Sequence, residues 1–477
     1  MICRSIGALN KRMSLRSQII TLYTLLFYLV SAPAQSPTDS TSQFNPQTAY
    51  EQATHPFDIV RRSPQNWSEI ELSALKAMTD QAKGDCAAHT ATEFDGKVLL
   101  DYARLCTLGR DWKPVQDAAT KFITTAANTS GQTAPDTNSR DLAAAYDYKV
   151  QASIRLNDAE QAFRTAVTML QTAPYDDLAS EATTSVVRYT QMLHTDWALT
   201  ILSQRQPMLL ALIRAHAMEA PTFPNDRPNI SIQNLYEQAI ALPTMQQFNN
   251  QSREAATSYA ELEASLPKAI LADERRSIVT IRQQYLLIGS HLPHIDTFAW
   301  LPDLQATGIP PAINADKTSA TVLLIFPSWC NQCVALHTDF AAAARRLLAN
   351  DARFFALLAQ PEAPSKEAPK DITQTKGRHI PVDATDQIRL KPNIPHTELQ
   401  LQVNPTASGL LAGTPTFVVP THTLDDFAAT DFPLVVVADH NGIIRSIQFA
   451  ADNPLVSGGL VDQVVDRVIA LWPSTHP

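Results

Sequence analysis

Thr321-Val322-Leu323-Leu324-Ile325-Phe326-Pro327-Ser328-Trp329-Cys330-Asn331-Gln332-Cys333 is the stretch that decides how the C-terminal part of this chain folds. The apolar run Thr321–Phe326 predicts a strand buried on both faces. A helical pattern from Val334 to Ala349 follows, so Cys330 and Cys333 stand where a strand gives way to a helix. At that spacing two thiols can close a small disulfide ring. The unpaired N–H groups at the start of a helix favour a thiolate on the first of them. A thiolate is the species that attacks disulfides, so the chemistry written here is thiol–disulfide exchange.

Downstream, Ala352–Ala359 predicts a second buried strand. Residues 361–410 carry many prolines and no lasting period, which predicts a long surface insertion. Thr416–Val419 reads as a short strand and Thr423–Ala429 as a short helix. Leu434–Ala438 is a strand turned by His440-Asn441-Gly442, where Asn-Gly favours a tight hairpin, and Ile443–Phe449 is its partner. Leu460, Val461, Val464, Val465, Val468, Ile469 and Trp472 share one face of a final helix. Strands alternating with helices, then a hairpin and a last helix, predict an α/β sheet with a mixed edge. Pro293, Pro302, Pro310 and Pro311 mark the change of character near Gly289, which sets this domain at 289–477.

In this order of motifs the segment resembles the thioredoxin fold, and more narrowly the exported TlpA/ResA-like thioredoxins of bacteria. The buried strand leading into Ser328-Trp329-Cys330-x-x-Cys333 matches the family's Trp-Cys-x-x-Cys. Phe427–Phe432 leading into Pro433, which heads a strand ending in Asp439-x-x-Gly442, places a proline where the family has its cis-proline. The resemblance implies that Trp329, Phe432 and Pro433 line the substrate site beside Cys330. Thr414 and Pro415, in Gly413-Thr414-Pro415-Thr416, are the rival for that role. Pro433 is preferred because the strand, turn and helix after it are the fold's closing elements. The chain departs from the family at Asn331-Gln332 between the cysteines and at Leu324, where thioredoxin itself carries a buried acid. The insertion at 361–410 is a further departure. These differences leave the redox direction open.

Upstream, residues 51–288 read as consecutive helices. In the clearest, Asp158–Leu170, residues Ala159, Ala162, Phe163, Ala166, Val167 and Leu170 recur at helical spacing, with Asn157-Asp158 as cap. Val98–Leu108 and Trp112–Ile123 form a helix, turn and helix through Gly109-Arg110-Asp111. Asp-Tyr recurs at Asp101-Tyr102 and Asp147-Tyr148, an offset of 46, which suits a helical repeat although no repeat signature is reproduced. Pro221, Pro224 and Pro228 separate the helices around Ser231–Ala241 and Gln251–Ile288 as a second subgroup. The fold class is therefore α + α/β: an all-helical, repeat-like domain, then a thioredoxin-like domain.

At the N-terminus Lys11, Arg12 and Arg16 precede the apolar run Ile19–Val30 and then Ala32-Pro33-Ala34. That pattern predicts a signal peptide over 1–34 and a periplasmic protein, with an uncleaved membrane anchor as the alternative. Residues 35–50, rich in Ser, Thr, Gln and Pro, read as a disordered leader. Removing Cys3 with the signal leaves Cys86, Cys106, Cys330 and Cys333, and an even set in an oxidising compartment suggests two pairs. Cys86 with Cys106 is read as a structural disulfide. A net charge of −9 argues against nucleic acid. Zinc needs two further ligands at metal spacing, and His337 alone does not supply them, so no metal and no cofactor is implied. The leading function is an extracytoplasmic thiol–disulfide oxidoreductase acting on disulfide-containing proteins. A membrane thiol donor would supply its electrons, and the helical domain would recruit a protein partner. The alternative is a helical binding module with an accessory or redox-sensing thioredoxin-like domain.

Overall fold

The computed structural model describes residues 44–62, 68–129, 139–173, 175–216, 231–295, 299–301, 318–330, 333, 337–348, 351–360, 416–449 and 460–473. The predicted signal peptide, the insertion at 361–410, and Thr414 and Pro415 lie outside them. The N-terminal part is helical: α1 (Pro46–Val60), α2 (Glu69–Ala87), α3 (Lys97–Leu108), α4 (Trp112–Thr129), α5 (Ser139–Arg155), α6 (Ala159–Thr172), α7 (Asp177–Thr190), α8 (Thr195–His216), α9 (Ile232–Phe248), α10 (Ser252–Ser265) and α11 (Ala272–Leu287). α1 begins inside the stretch read as a disordered leader. Pro46 suits a first helical turn, and Ala49, Ala53 and Phe57 bury one stripe of the helix.

Local chemistry starts these helices where it can. Ser68 and Glu71 form a capping box at α2, and the side chains of Asp158, Asp176 and Ser231 accept backbone N–H groups at the starts of α6, α7 and α9. One turn recurs between helices. Arg110, Asn157 and Asn250 each take a left-handed φ, near 56–60°, after α3, α5 and α9, and the same pair of backbone hydrogen bonds closes each turn. At Gly109 the reason for glycine is different: a Cβ there would sit 2.6 Å from the backbone of Lys83 on α2. Most successive helices from α2 to α10 pack on one another, and several also on the next but one, such as α5 on α7 and α9 on α11.

Cys86 on α2 and Cys106 on α3 are joined, Cα to Cα 5.1 Å, and both are fully buried. The buried Tyr102 hydroxyl shares its one proton between His89 O at 2.7 Å and Cys86 O at 3.0 Å, and burial pushes its ionisation up to about 12.

The sheet holds β1 (Ala299–Leu301), β2 (Ala320–Pro327), β3 (Ala352–Gln360), β4 (Thr416–Pro420), β5 (Leu434–Asp439) and β6 (Ile444–Phe449), in the order β1-β4-β3-β2-β5-β6. β2 runs parallel to β3, and β3 parallel to β4. β5 is antiparallel to both β2 and β6, and β1 is antiparallel to β4. The helices here are α12 (His337–Leu348), α13 (His422–Asp426) and α14 (Leu460–Leu471). β1 was not anticipated: it has three residues and only one partner strand. α13 stops before the expected Ala429 because Ala428 turns left-handed, with φ 48°.

The hairpin also differs from the tight Asn-Gly turn expected. Only Gly442 has positive φ, 71°, and a bulge follows in the pairing with β5. The cause is Asp439. Its buried carboxylate accepts Asn441 N at 2.8 Å and Ile443 N at 3.1 Å, and pairs with Arg445 at 2.7 Å, which fixes a wider turn.

Residues Gln47–Pro477 form one unit. One apolar cluster runs from Tyr146, Val186 and Leu202 in the helices through Leu242, Met245 and Phe248 of α9 to Val322, Phe326 and Val435 of the sheet. Arg467 of α14 donates to Asn249 at 2.8 Å across the same join.

Two expectations follow. Asp147 on α5 is buried, with Gln151 on one oxygen and no partner on the other among the described residues. Burial first, and then the charge of Glu181, lifts its ionisation from 3.8 to about 7. Between those values unfolding releases a proton, so stability falls as pH rises and levels off above the upper one. Asp147→Asn should flatten that slope in urea titrations run from about pH 5 to about pH 8; an unchanged slope would reject the assignment. Replacing Cys86 and Cys106 with alanine should cost roughly 3 kcal/mol by the same method, the chain-entropy value for a loop of this length. Finding both thiols alkylatable in the folded, oxidised protein would show that the pair does not form.

Candidate functional site

β2 ends at Pro327, and the chain turns at once. Ser328 N donates to Ala359 O of β3 at 3.0 Å, and Cys330 N to Pro327 O at 3.0 Å. This anchors the dithiol to the ends of two neighbouring strands. Cys330 and Cys333 are joined, Cα to Cα 5.3 Å, and Cys333 is helical. Cys330 is 8% exposed and Cys333 1%, while the preceding Trp329 is 58% exposed. The Cys333 amide donates to Cys330 Sγ at 3.2 Å. A backbone donor aimed at that sulfur is what a thiolate on Cys330 needs.

The facing wall comes from the other end of the domain. The Phe432 ring meets the Trp329 ring edge-on, 5.5 Å between centres. Phe432 packs against the cluster that includes both cysteines and also against the cluster on the opposite sheet face. The Phe432–Pro433 peptide is cis, and Pro433 is buried. β5 begins at the next residue, in a row that pairs Leu434 with Ile325 of β2 and with Phe449 of β6. The structure thus sets Phe432, which precedes the cis Pro433, against Trp329, the neighbour of Cys330, and it leaves Cys86–Cys106 in the helical part. Leu324 is fully buried and apolar.

The sequence reading missed Gln284. From α11 its amide donates to the carbonyl of Ala428 at 2.8 Å, which ties the helical part to the loop carrying Phe432. Its partner lies 144 residues away, and a polar residue on a helix carries no signal of such a bond.

No protein-family model and no curated protein matches the chain. The crystal structure of an exposed lipoprotein thioredoxin from Streptococcus pneumoniae is similar at 14% identity, over 31% of this chain and 87% of that one, with a TM-score of 0.20.

The two cysteines should differ in reactivity. After reduction, limiting iodoacetamide at neutral pH should label Cys330 well before Cys333, since Cys330 is more exposed and carries the amide donor. Peptide mapping that finds Cys333 labelled first would reverse the assignment.

Proposed function

We propose that the chain is an exported thiol–disulfide oxidoreductase with a thioredoxin-like C-terminal domain, acting on protein disulfides through Cys330 and Cys333. One observation carries the reading. The dithiol sits at the end of a fully buried central strand, with the Cys333 amide on Cys330 Sγ and an exposed Trp329 against Phe432 beside it. A disulfide that only stabilised the fold would need neither the exposed ring nor the amide on its outer sulfur.

In the reducing direction the Cys330 thiolate attacks one client sulfur. The client disulfide breaks, one client thiolate leaves, and a Cys330–client mixed disulfide forms. Cys333, as thiolate, then attacks Cys330 Sγ and expels the second client thiolate, leaving the Cys330–Cys333 disulfide. Two electrons have passed to the client, and a dithiol donor at the membrane would restore them. Export to the periplasm belongs to the same proposal and rests on the N-terminal Lys/Arg, apolar and Ala-x-Ala pattern.

Cys333→Ser should accumulate mixed disulfides with client proteins, seen as reductant-sensitive bands on non-reducing gels, and Cys330→Ser should form none. Trapping that depends on Cys333 instead would overturn the roles. A chain that reduces no disulfide would favour the helical binding module.

A further inference from the structure

Among the described residues β6 is the last strand of its sheet, and only its beginning is covered. Gly289 N and Ser290 O bond Ile444, and Leu292 N bonds Gly442 O. Beyond that point the consecutive residues Arg445–Phe449 all line one cleft of about 830 Å³. Side chains alternate between faces along a strand, so an unbroken run lining one space means that the strand's edge faces it. Among the described residues, no backbone group pairs with that edge over Ser446–Phe449. The far wall is helical, with Arg188 of α7, Glu237 and Thr244 of α9, and Thr280 and Gln284 of α11. The near end is the loop that carries Phe432 and Pro433: Thr430, Asp431 and Leu434, which flank them, line the same cleft, and Phe432 meets Trp329 beside the dithiol. Two strand spacings, about 10 Å, separate β2 from the open edge.

We propose that this cleft, between the helical part and β6, holds an extended segment of the client polypeptide as an added strand while its disulfide meets Cys330. The inference rests on the oxidoreductase reading and names its substrate class: unfolded or locally extended protein chains. The occupant follows from the lining. An open strand edge offers N–H and C=O groups at strand spacing, and only an extended backbone complements them. The cleft's charges are of both signs, Arg188, Arg276 and the Asp439-paired Arg445 against Glu237 and Asp431, so no single charge pattern selects the client. Recognition through the backbone suits an enzyme with many clients.

The test compares two disulfides in single turnovers of the pre-reduced full chain. One is Ellman's disulfide, which needs only the dithiol. The other is an unstructured peptide of about ten residues whose one cysteine is in mixed disulfide with thionitrobenzoate. Thr244→Trp and Thr280→Trp each fill the cleft from a different helix, away from the cysteines. Each should slow the peptide by about tenfold, the worth of one or two hydrogen bonds, and leave Ellman's disulfide unchanged. Equal rates on the peptide would overturn the cleft. No turnover of Ellman's disulfide by the unmodified chain would instead overturn the oxidoreductase reading. A second measurement does not depend on those variants folding. When the peptide is trapped on Cys333→Ser, hydrogen exchange at 446–449 should slow by about tenfold or more. Protection confined to Trp329 and Phe432 would refute the added strand. Full protection of 446–449 before the peptide is added would show that the chain covers its own edge, and refute it too.

Discussion

Burial of β2 on both faces is the constraint from which the rest of the sheet follows. All eight of its residues are buried, and its side chains divide by alternation. Val322, Leu324 and Phe326 enter the core shared with the helices, whereas Leu323 and Ile325 enter a separate one with Phe355, Phe417 and Phe427. A strand with no wet face must be flanked on both edges as well, which β3 and β5 do. The chain can then surface only at the strand's end, and that is where Pro327 and the dithiol lie. Covering the other end of the same row is the work of Phe432. The site is therefore a consequence of how the central strand is buried, and its geometry inherits the rigidity of the sheet.

The helical part contributes more than a tether. Leu242, Met245 and Phe248 of α9 close the same cluster as Val435 and Val437 of β5, so separating the parts would expose apolar surface on both. Gln284 goes further by holding the carbonyl of Ala428. Ala428 is a non-glycine residue at φ 48°, a conformation that costs about 1 kcal/mol, and a hydrogen bond at its carbonyl offsets part of that. The turn at Ala428 is closed by its own backbone bonds to Asp425 and Leu424, and Gln284 ties that loop to a helix outside the sheet.

Strands buried on both faces were legible because they leave continuous apolar runs, and the final helix because its valines keep helical spacing. β1 left no mark, since three residues on an edge set no period. The Asn-Gly pair misled because the deciding group was Asp439, whose carboxylate outranks the local turn preference by binding two amides and Arg445. Pro46 lay in a polar stretch, and its helix is set by three residues four apart that read as composition rather than pattern. The Asp-Tyr recurrence does not mark a shared environment. Tyr102 is buried beside a disulfide, and Tyr148 has no such neighbour. What recurs is the left-handed turn at Arg110, Asn157 and Asn250, carried by two residue types and invisible to a search for identical letters. At the site the cysteines were plain from spacing. Gln284 was not, because its role exists only after two distant segments have packed.

The exposure gradient across the site supports the proposed order, Cys330 before Cys333. Trp329 stands in solvent, Cys330 is nearly closed off, and Cys333 lies under it in the apolar cluster. In the proposed reaction a client sulfur meets Cys330 beside the exposed indole of Trp329, which packs edge-on against Phe432. Were a mixed disulfide formed as proposed, the sulfur of Cys333 would be the neighbour on the protein side, with a Cα separation of 5.3 Å. Its attack is then intramolecular, and such proximity replaces a bimolecular search. Burial that keeps Cys333 from outside thiols is the same burial that keeps it beside Cys330. In that proposal the limited access to Cys330 and the proximity of Cys333 come from one packing arrangement, the one imposed by β2.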